Sequence, residues 1–189
     1  MATGNWIPWG NRHYYQVLNA NFEECFTPVG GATECQSSHN TLFNAGAQYV
    51  EKAVIGGSTG FCAVSATCSF NFIAMSGSAV TFAATDSVTG ASNGNCAAAQ
   101  GGSELTTNGF ARAAGTVTDI AGSSPQSATI VKTFTDATAA TTVQDSCLVN
   151  QSTASNANNV ILAAASFTAI TLQVGDTIQI TWTITWTWS

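Results

Sequence analysis

The segment Thr177-Ile-Gln-Ile-Thr-Trp-Thr-Ile-Thr-Trp-Thr-Trp188 decides the fold class of this chain. Its large apolar side chains alternate with threonine and glutamine, which is the period of two residues that a β-strand imposes. A helix would spread the same tryptophans around its circumference. The alternation therefore predicts a strand with one packed face and one hydroxyl-bearing face. The residues predicted to point into the core are Ile178, Ile180, Trp182, Ile184, Trp186 and Trp188.

Further strands are predicted upstream by the same period and by the turn residues that separate the periodic segments. Residues 61–72 alternate apolar and small polar side chains, and residues 79–82 are the expected hairpin partner. Other strands are expected within residues 110–120, 128–135, 143–149, 159–165 and 167–172. Many short strands with almost no helical periodicity predict an all-β, antiparallel β-sandwich of jelly-roll-like type.

Residues 1–60 show no sustained period, so we expect an irregular N-terminal arm there with one or two short strands. The sandwich domain is then expected over residues 61–189. Clustered tryptophan and tyrosine side chains bury a large area at low entropy cost, which suits them to anchor the arm. They could pack into a neighbouring subunit or across their own sandwich, and both readings stay open. The candidate anchors are Trp6, Ile7, Trp9, Tyr14 and Tyr15.

The composition limits the classes of partner. Only 7% of the 189 residues are charged, so solubility rests on serine, threonine, asparagine and glycine, whose short side chains lose little entropy when immobilised. Such a surface suits repetitive assembly or adhesion. A net charge of −6 argues against nucleic-acid binding. We expect no export signal and no membrane segment, because the chain starts without a basic region and contains no long apolar run.

The six cysteines allow one local pairing to be proposed. Cys25 and Cys35 flank a turn-forming run and are a candidate disulfide, with buried free thiols as the alternative. Cys62 and Cys68 lie on one face of a predicted strand, about 20 Å apart, and are not expected to pair. Cys96 falls in a loop rich in glycine, asparagine and alanine, where it could be tied down.

A search for catalytic and metal-binding patterns gives no candidate that we retain. Residues 56–60 match the letters of a nucleophile elbow around Ser58, but they precede a predicted strand instead of a helix. His13 and His39 lack a partner motif, and Cys25, Cys35 and His39 lack the paired spacing of a zinc site. We therefore expect a protein that is not an enzyme and binds no metal or cofactor.

Four segments of the C-terminal half follow one another in a recognisable order. They are Thr107-Asn-Gly-Phe-Ala-Arg-Ala113, Ala128-Thr-Ile-Val-Lys-Thr-Phe-Thr135, Asp145-Ser-Cys-Leu-Val-Asn150 and Phe167-Thr-Ala-Ile-Thr-Leu-Gln-Val-Gly-Asp-Thr-Ile-Gln-Ile-Thr-Trp182. In this order they resemble a group of tailed-bacteriophage virion proteins, over roughly residues 104–189. The resemblance implies a β-sandwich structural protein that is encoded among head and tail genes and has no catalytic residues.

Composition and resemblance together lead us to expect a capsid decoration or cement protein. It would assemble in the host cytoplasm and lie on the outer surface of the virion, bound to the major capsid protein or other virion subunits. A homo-oligomer is expected, with a trimer as the favoured form. The main alternative is a tail-fibre or adhesin module that binds the host surface. A third, from another class, is a secreted lectin-like or carbohydrate-active protein.

Overall fold

The computed structural model describes residues 16–38, 40–43, 70–120 and 126–188. Within these ranges nearly all regular structure is β-strand, and the helical structure consists of α1 (Gly90–Asn93) and a 3₁₀ turn at Ala98–Gln100. No helix in this part of the chain is long and apolar enough to cross a membrane. Two antiparallel sheets pack against each other, so the fold is the predicted β-sandwich.

The first sheet has five strands, and each neighbouring pair is antiparallel. Its members are β1 (Gln16–Thr27), β2 (Glu34–Ser38), β6 (Thr116–Ile120), β7 (Gln126–Thr135) and β10 (Thr177–Trp188). They lie side by side in the order β2-β1-β10-β7-β6. The central position suits β10, because its long run of β-branched and aromatic residues finds a strand to pair with on each side.

The second sheet also has five strands, in the order β3-β9-β8-β4-β5. Its members are β3 (Asn40–Leu42), β4 (Phe72–Ser76), β5 (Ala113–Ala114), β8 (Thr141–Val149) and β9 (Ile161–Leu172). The pairing of β8 with β9 shifts register twice, between Val143 and Asp145 and between Leu148 and Val149. Such bulges change which side chains face the opposite sheet.

The main core lies between the two sheets. Ile178, Ile180, Trp182 and Ile184, which alternation predicts to point inward, are all buried. Trp182 is fully buried, and its indole Nε1 donates a hydrogen bond to Ser146 Oγ across the sandwich at 3.3 Å. A buried indole N–H needs such a partner, so this bond allows the largest core side chain to be packed without a polar penalty. Trp186 and Trp188 belong to the same strand, but their side chains lie outside the description.

A second apolar cluster lies on the outer side of the second sheet, where residues 82–99 cover it. The disulfide between Cys96 and Cys147 joins this covering segment to β8. The buried members of the cluster are Phe43, Ala74, Val88, Cys96, Cys147, Val149, Ile161 and Ala164. The second sheet is therefore packed on both faces, which explains its high content of alanine, valine and isoleucine without strict alternation.

Part of residues 1–60, where the sequence predicts an irregular arm with one or two short strands, is regular β-structure. β1 is a 12-residue strand in the interior of the first sheet, and β2 and β3 also fall in this range. The strand escapes the alternation test because Glu24 occupies an inward position between Phe22 and Phe26. The sandwich thus includes residues 16–38 and 40–43, while residues 1–15 lie outside the described part.

Two other strand predictions need correction. Residues 79–82 form no strand, because β4 already has β8 on one edge and β5 on the other, which leaves no edge for a hairpin partner. Phe82 packs edge-on against Phe43 instead, with ring centroids 6.0 Å apart. The strands predicted at 159–165 and 167–172 are the single strand β9, whose irregular pairing absorbs the break in alternation. The predicted strand over 61–72, with Cys62 and Cys68, lies mostly outside the described residues.

Candidate functional site

The outward face of the first sheet is the most distinctive surface among the described residues. On β1, β7 and β10 the inward positions are mostly buried, while the alternate outward positions are exposed or half-buried. On β7 and β10 most outward side chains carry a hydroxyl group, and Val131 and Gln179 are the exceptions. On β1 the described outward residues are Asn21, Glu23, Cys25 and Thr27. We call this surface the hydroxyl face; its hydroxyl residues are Thr27, Ser37, Thr116, Thr118, Ser127, Thr129, Thr133, Thr135, Thr177, Thr181, Thr183 and Thr185.

Strand register aligns these residues into rows that cross the sheet. Thr177 on β10 lies directly between Thr27 on β1 and Thr135 on β7. Further along, Thr183 pairs with Thr129, which in turn pairs with Thr118 on the edge strand β6. Side chains opposite each other in an antiparallel pair are about 5 Å apart, so the hydroxyl groups within each of these rows are neighbours. Between these two rows lie Val131 and Gln179, together with Glu23 and Cys25 of β1, and Asn21 of β1 lies opposite Thr183.

The hydroxyl face carries almost no charge. Glu23 is the one ionisable group among its described side chains, whereas Lys132 occupies an inward position on β7, opposite Ile180. A hydrogen bond of 3.2 Å from Gln179 Nε2 to Thr133 Oγ1 joins two strands on this face. Short, neutral and partly ordered side chains lose little entropy when another surface covers them.

A disulfide lies on the same face. Cys25 on β1 is directly opposite Cys35 on β2, and the two residues form the bond that the sequence suggests. Cys35 is exposed, so this disulfide is accessible to solvent. It ties the edge strand β2 to the interior strand β1, and thereby restrains one side of the hydroxyl face.

One end of the hydroxyl face is bordered by two exposed valines, Val29 and Val174, at 70% and 56% exposure. Their turns are joined by the buried Asp176, whose two carboxylate oxygens accept the backbone N–H groups of Val29 and Gln173 at 2.7 Å each. Charge-assisted bonds of this kind hold the turns in place. The valines therefore form a small apolar spot fixed beside the row of Thr27 and Thr177.

The covering layer of the second sheet is held by a buried ion pair. Arg112 donates to both carboxylate oxygens of Glu104, at 2.7 Å from Nε and 2.5 Å from Nη2. Both side chains are almost completely buried, at 3% and 2% exposure. Glu104 Oε2 also accepts the backbone N–H of Cys96 at 2.9 Å. The ion pair thus fixes the residue that forms the disulfide to β8.

The same arginine bridges to the loop between β8 and β9. Its Nη1 group donates to the carbonyl oxygen of Gln151 at 3.1 Å and to Asn159 Oδ1 at 3.0 Å. Its Nη2 group also contacts Asn95 Oδ1 at 3.3 Å. Buried charges are tolerated only when paired and hydrogen-bonded, and this guanidinium satisfies both conditions. It acts as a structural brace.

Two buried carboxyl groups have perturbed acidity. Glu24 is fully buried on the inward face of β1, and neither carboxyl oxygen has a hydrogen-bond partner in another residue. Burial raises the pKa of Glu24 from 4.5 to about 8, and the neighbouring charge of Glu23 adds to the shift. Burial also raises the pKa of Asp145 from 3.8 to about 6, against the opposing effect of hydrogen bonds from Ser166 and Ser76.

The arrangement around Asp145 does not form a catalytic set. Asp145 lines a shallow depression of about 270 Å³ with Gln144 and Ser166, and Ser166 Oγ donates to Asp145 Oδ1 at 2.7 Å. The residues lining this depression include no histidine, lysine or second acid that could share proton transfer. In the described part of the chain, no group of three histidine, cysteine or acidic side chains could hold a metal ion.

Comparison with known proteins finds no matching family model, no matching curated protein and no matching solved structure.

Several predicted site residues lie outside the described part of the chain. These are the arm anchors Trp6, Ile7, Trp9, Tyr14 and Tyr15, together with His13, His39 and Ser58. The anchoring role of the arm residues stays a prediction, and so does the expected absence of a catalytic or metal-binding role for His13, His39 and Ser58.

Sequence reasoning found only one strand of the hydroxyl face. The alternation in β10 predicts a hydroxyl-bearing side. The strands next to β10 cannot be identified from the sequence, so the sequence does not predict that the threonines of β6 and β7 lie on the same face. Arg112 and Glu104 were also missed. The one available signal was an arginine within a loop of a chain that has few charged residues.

Proposed function

We propose that this chain is a structural, non-enzymatic protein of a tailed-phage particle that lies on the capsid as a decoration or cement protein. The observation that carries the proposal is the hydroxyl face, a broad, nearly uncharged sheet surface made of short side chains. Such a surface is suited to close contact with another protein surface. The resemblance of residues 104–189 to virion proteins supports the same role.

The internal bracing suits a protein that stabilises a shell. The second sheet is packed on both faces, a disulfide joins its cover to β8, and Arg112 connects that cover to the next loop. A rigid body loses little conformational freedom on binding, so more of its contact energy stabilises the complex. Many symmetry-related copies then add avidity to modest single contacts.

The disulfides favour a location on the outside of the particle. Both described pairs, Cys25 with Cys35 and Cys96 with Cys147, persist best in an oxidising environment, and virion surfaces are one such place. On this proposal the chain joins the particle in the host cytoplasm and its thiols pair at the latest after release. The partners are the major capsid protein and further copies of the chain.

The direct test is to purify particles of the phage whose genome encodes this chain, count the copies by quantitative mass spectrometry and locate them by electron microscopy. If the chain is a cement protein, we expect on the order of hundreds of copies per particle, arranged on the shell lattice. Particles made without the gene should lose DNA at a lower temperature. A few copies confined to the tail would instead support the adhesin alternative, and absence from particles would refute both.

A further inference from the structure

We propose that the hydroxyl face is the surface through which two copies of this chain pair, sheet against sheet. The inference rests on the proposed structural role and names one partner for it, a second copy of the same chain. It changes the expected oligomer from a trimer to a unit built on a two-fold axis. Three observations support the proposal: the area of the face, its low charge, and the covering of the outer face of the second sheet.

The area of the face is close to what a stable pair requires. The strands β1, β7 and β10 have 12, 10 and 12 residues, and the edge strands β2 and β6 have five each. With about 4.8 Å between strands and about 3.3 Å per residue, the face covers roughly 700 Å². A standard interface takes about 800 Å² from each partner, so the face matches one side of such an interface.

The charge distribution favours a second copy at this face. The chain carries a net charge of −6, so two copies repel each other on average. Repulsion is smallest where the surface is neutral, and Glu23 is the one charged side chain described on the hydroxyl face. The face is therefore where self-association costs least.

A two-fold axis running along β10 also separates the two copies of Glu23. This axis sets β1 of one copy against β7 of the other, since the two strands flank β10 on opposite sides. Glu23 then faces the row of Val131, between the hydroxyl groups of Thr129 and Thr133, instead of its own counterpart. The arrangement is isologous, as the common homodimer is.

Among the described residues, the opposite side of the sandwich offers no comparable plane. The outer face of the second sheet is already packed against residues 82–99, with Cys96 and Val88 fully buried there. On the hydroxyl face the central residues Thr181 and Thr183 are half-buried by their neighbours before any partner binds. Ordering them further costs little entropy, because a threonine side chain has a single heavy-atom torsion to fix.

The experiment compares the full chain with two lysine variants by sedimentation velocity and light scattering over a concentration series. Thr183→Lys places a charge near the centre of the face, beside the proposed axis, where the two copies of the new lysine meet. The residues opposite it on β1 and β7, Asn21 and Thr129, are neutral. Thr106→Lys adds the same charge at an exposed position outside the face and is the matched control. We expect a wild-type dimer with a dissociation constant of about 1–10 µM. Thr183→Lys should weaken the dimer by about 30-fold or more, and the control by less than about 3-fold.

A second variant, Thr129→Lys on β7, keeps the test valid should Thr183→Lys fail to fold, which circular dichroism would reveal. A wild-type chain that stays monomeric would overturn the proposal, as would a dimer that both face variants leave intact. A monomer that Thr183→Lys strongly destabilises would also overturn it, because the face would then be covered within the chain. These results concern the purified chain alone, so they are independent of whether particles contain the protein.

Discussion

At the residue scale, Glu24 is the least expected feature of the molecule. A glutamate in the core of a sandwich, with neither oxygen bonded to another residue, is stable only while it stays protonated. Burial raises its pKa to about 8, so the folded chain holds a proton there at neutral pH that the unfolded chain releases. Folding is thereby coupled to pH through a single side chain.

The sign of this coupling predicts that the protein is more stable in mild acid than at neutral pH. Because the pKa of Glu24 is higher in the folded state, stability is complete below about pH 4.5 and falls as the pH rises towards about 8. The loss is at most about 5 kcal/mol. In the Glu24→Gln variant, most of this fall in stability with rising pH should be absent. Urea unfolding at pH 5 and pH 8 measures the effect, and an unchanged pH profile in this variant would contradict the assignment.

The Asp145 carboxyl supplies a control for that experiment. Its pKa is raised to about 6, so its contribution has the same sign but is lost between about pH 4 and pH 6. Asp145→Asn, which can still accept the hydrogen bond from Ser166, should flatten only the lower part of the profile. The fall in stability between pH 6 and pH 8 should persist in this variant, since it belongs to Glu24.

Arg112 allows a second prediction at the residue scale. Arg112→Leu leaves the carboxylate of Glu104 buried without its cation and should lower the free energy of unfolding by about 3–5 kcal/mol. Adding Glu104→Gln removes the buried charge but keeps an acceptor for the N–H of Cys96, so the double variant should recover part of the loss. Equilibrium denaturation of the wild type, the two single variants and the double variant measures this coupling. Strictly additive effects would show that the ion pair is not the reason for the loss.

At the element scale, most of the long strands could be predicted from the sequence, even where a residue conflicts with the alternation as the inward Lys132 does on β7, whereas β1 could not. β10 sorts its side chains without error, and β7 and β8 overlap their predicted ranges. β1 was missed because an inward glutamate imitates a surface residue. Only part of the hydroxyl face could be predicted from the sequence, because strand order depends on contacts between distant segments that alternation does not encode.

The two described disulfides predict different losses when each is removed. The bond from Cys96 to Cys147 spans 51 residues and the bond from Cys25 to Cys35 spans 10, so the first restricts the unfolded chain more. Replacing Cys96 and Cys147 with alanine should cost about 4 kcal/mol, and replacing Cys25 and Cys35 about 3 kcal/mol. Cys96 and Cys147 are also fully buried, which adds a packing loss. Guanidinium unfolding compares the pairs; equal losses would contradict this account.

At the scale of the whole molecule, the sandwich is asymmetric. One sheet carries a braced second layer on its outside, and the other presents a nearly neutral plane of hydroxyl groups. Because only 7% of the residues are charged, contacts made through that plane involve few ions. Association should then depend on shape and hydrogen bonding more than on long-range attraction.

This asymmetry predicts that association is almost independent of ionic strength. Salt screens the attraction between opposite charges and so weakens contacts that depend on it. When two chains of net charge −6 meet through a neutral face, salt screens only the repulsion between the chains. Raising sodium chloride from about 50 mM to about 500 mM should therefore leave the dissociation constant of the pair unchanged or lower it by up to about 3-fold. Sedimentation at the two salt concentrations measures this. A dissociation constant that rises tenfold would mean that oppositely charged groups hold the copies together, and those groups would have to lie elsewhere than on the hydroxyl face.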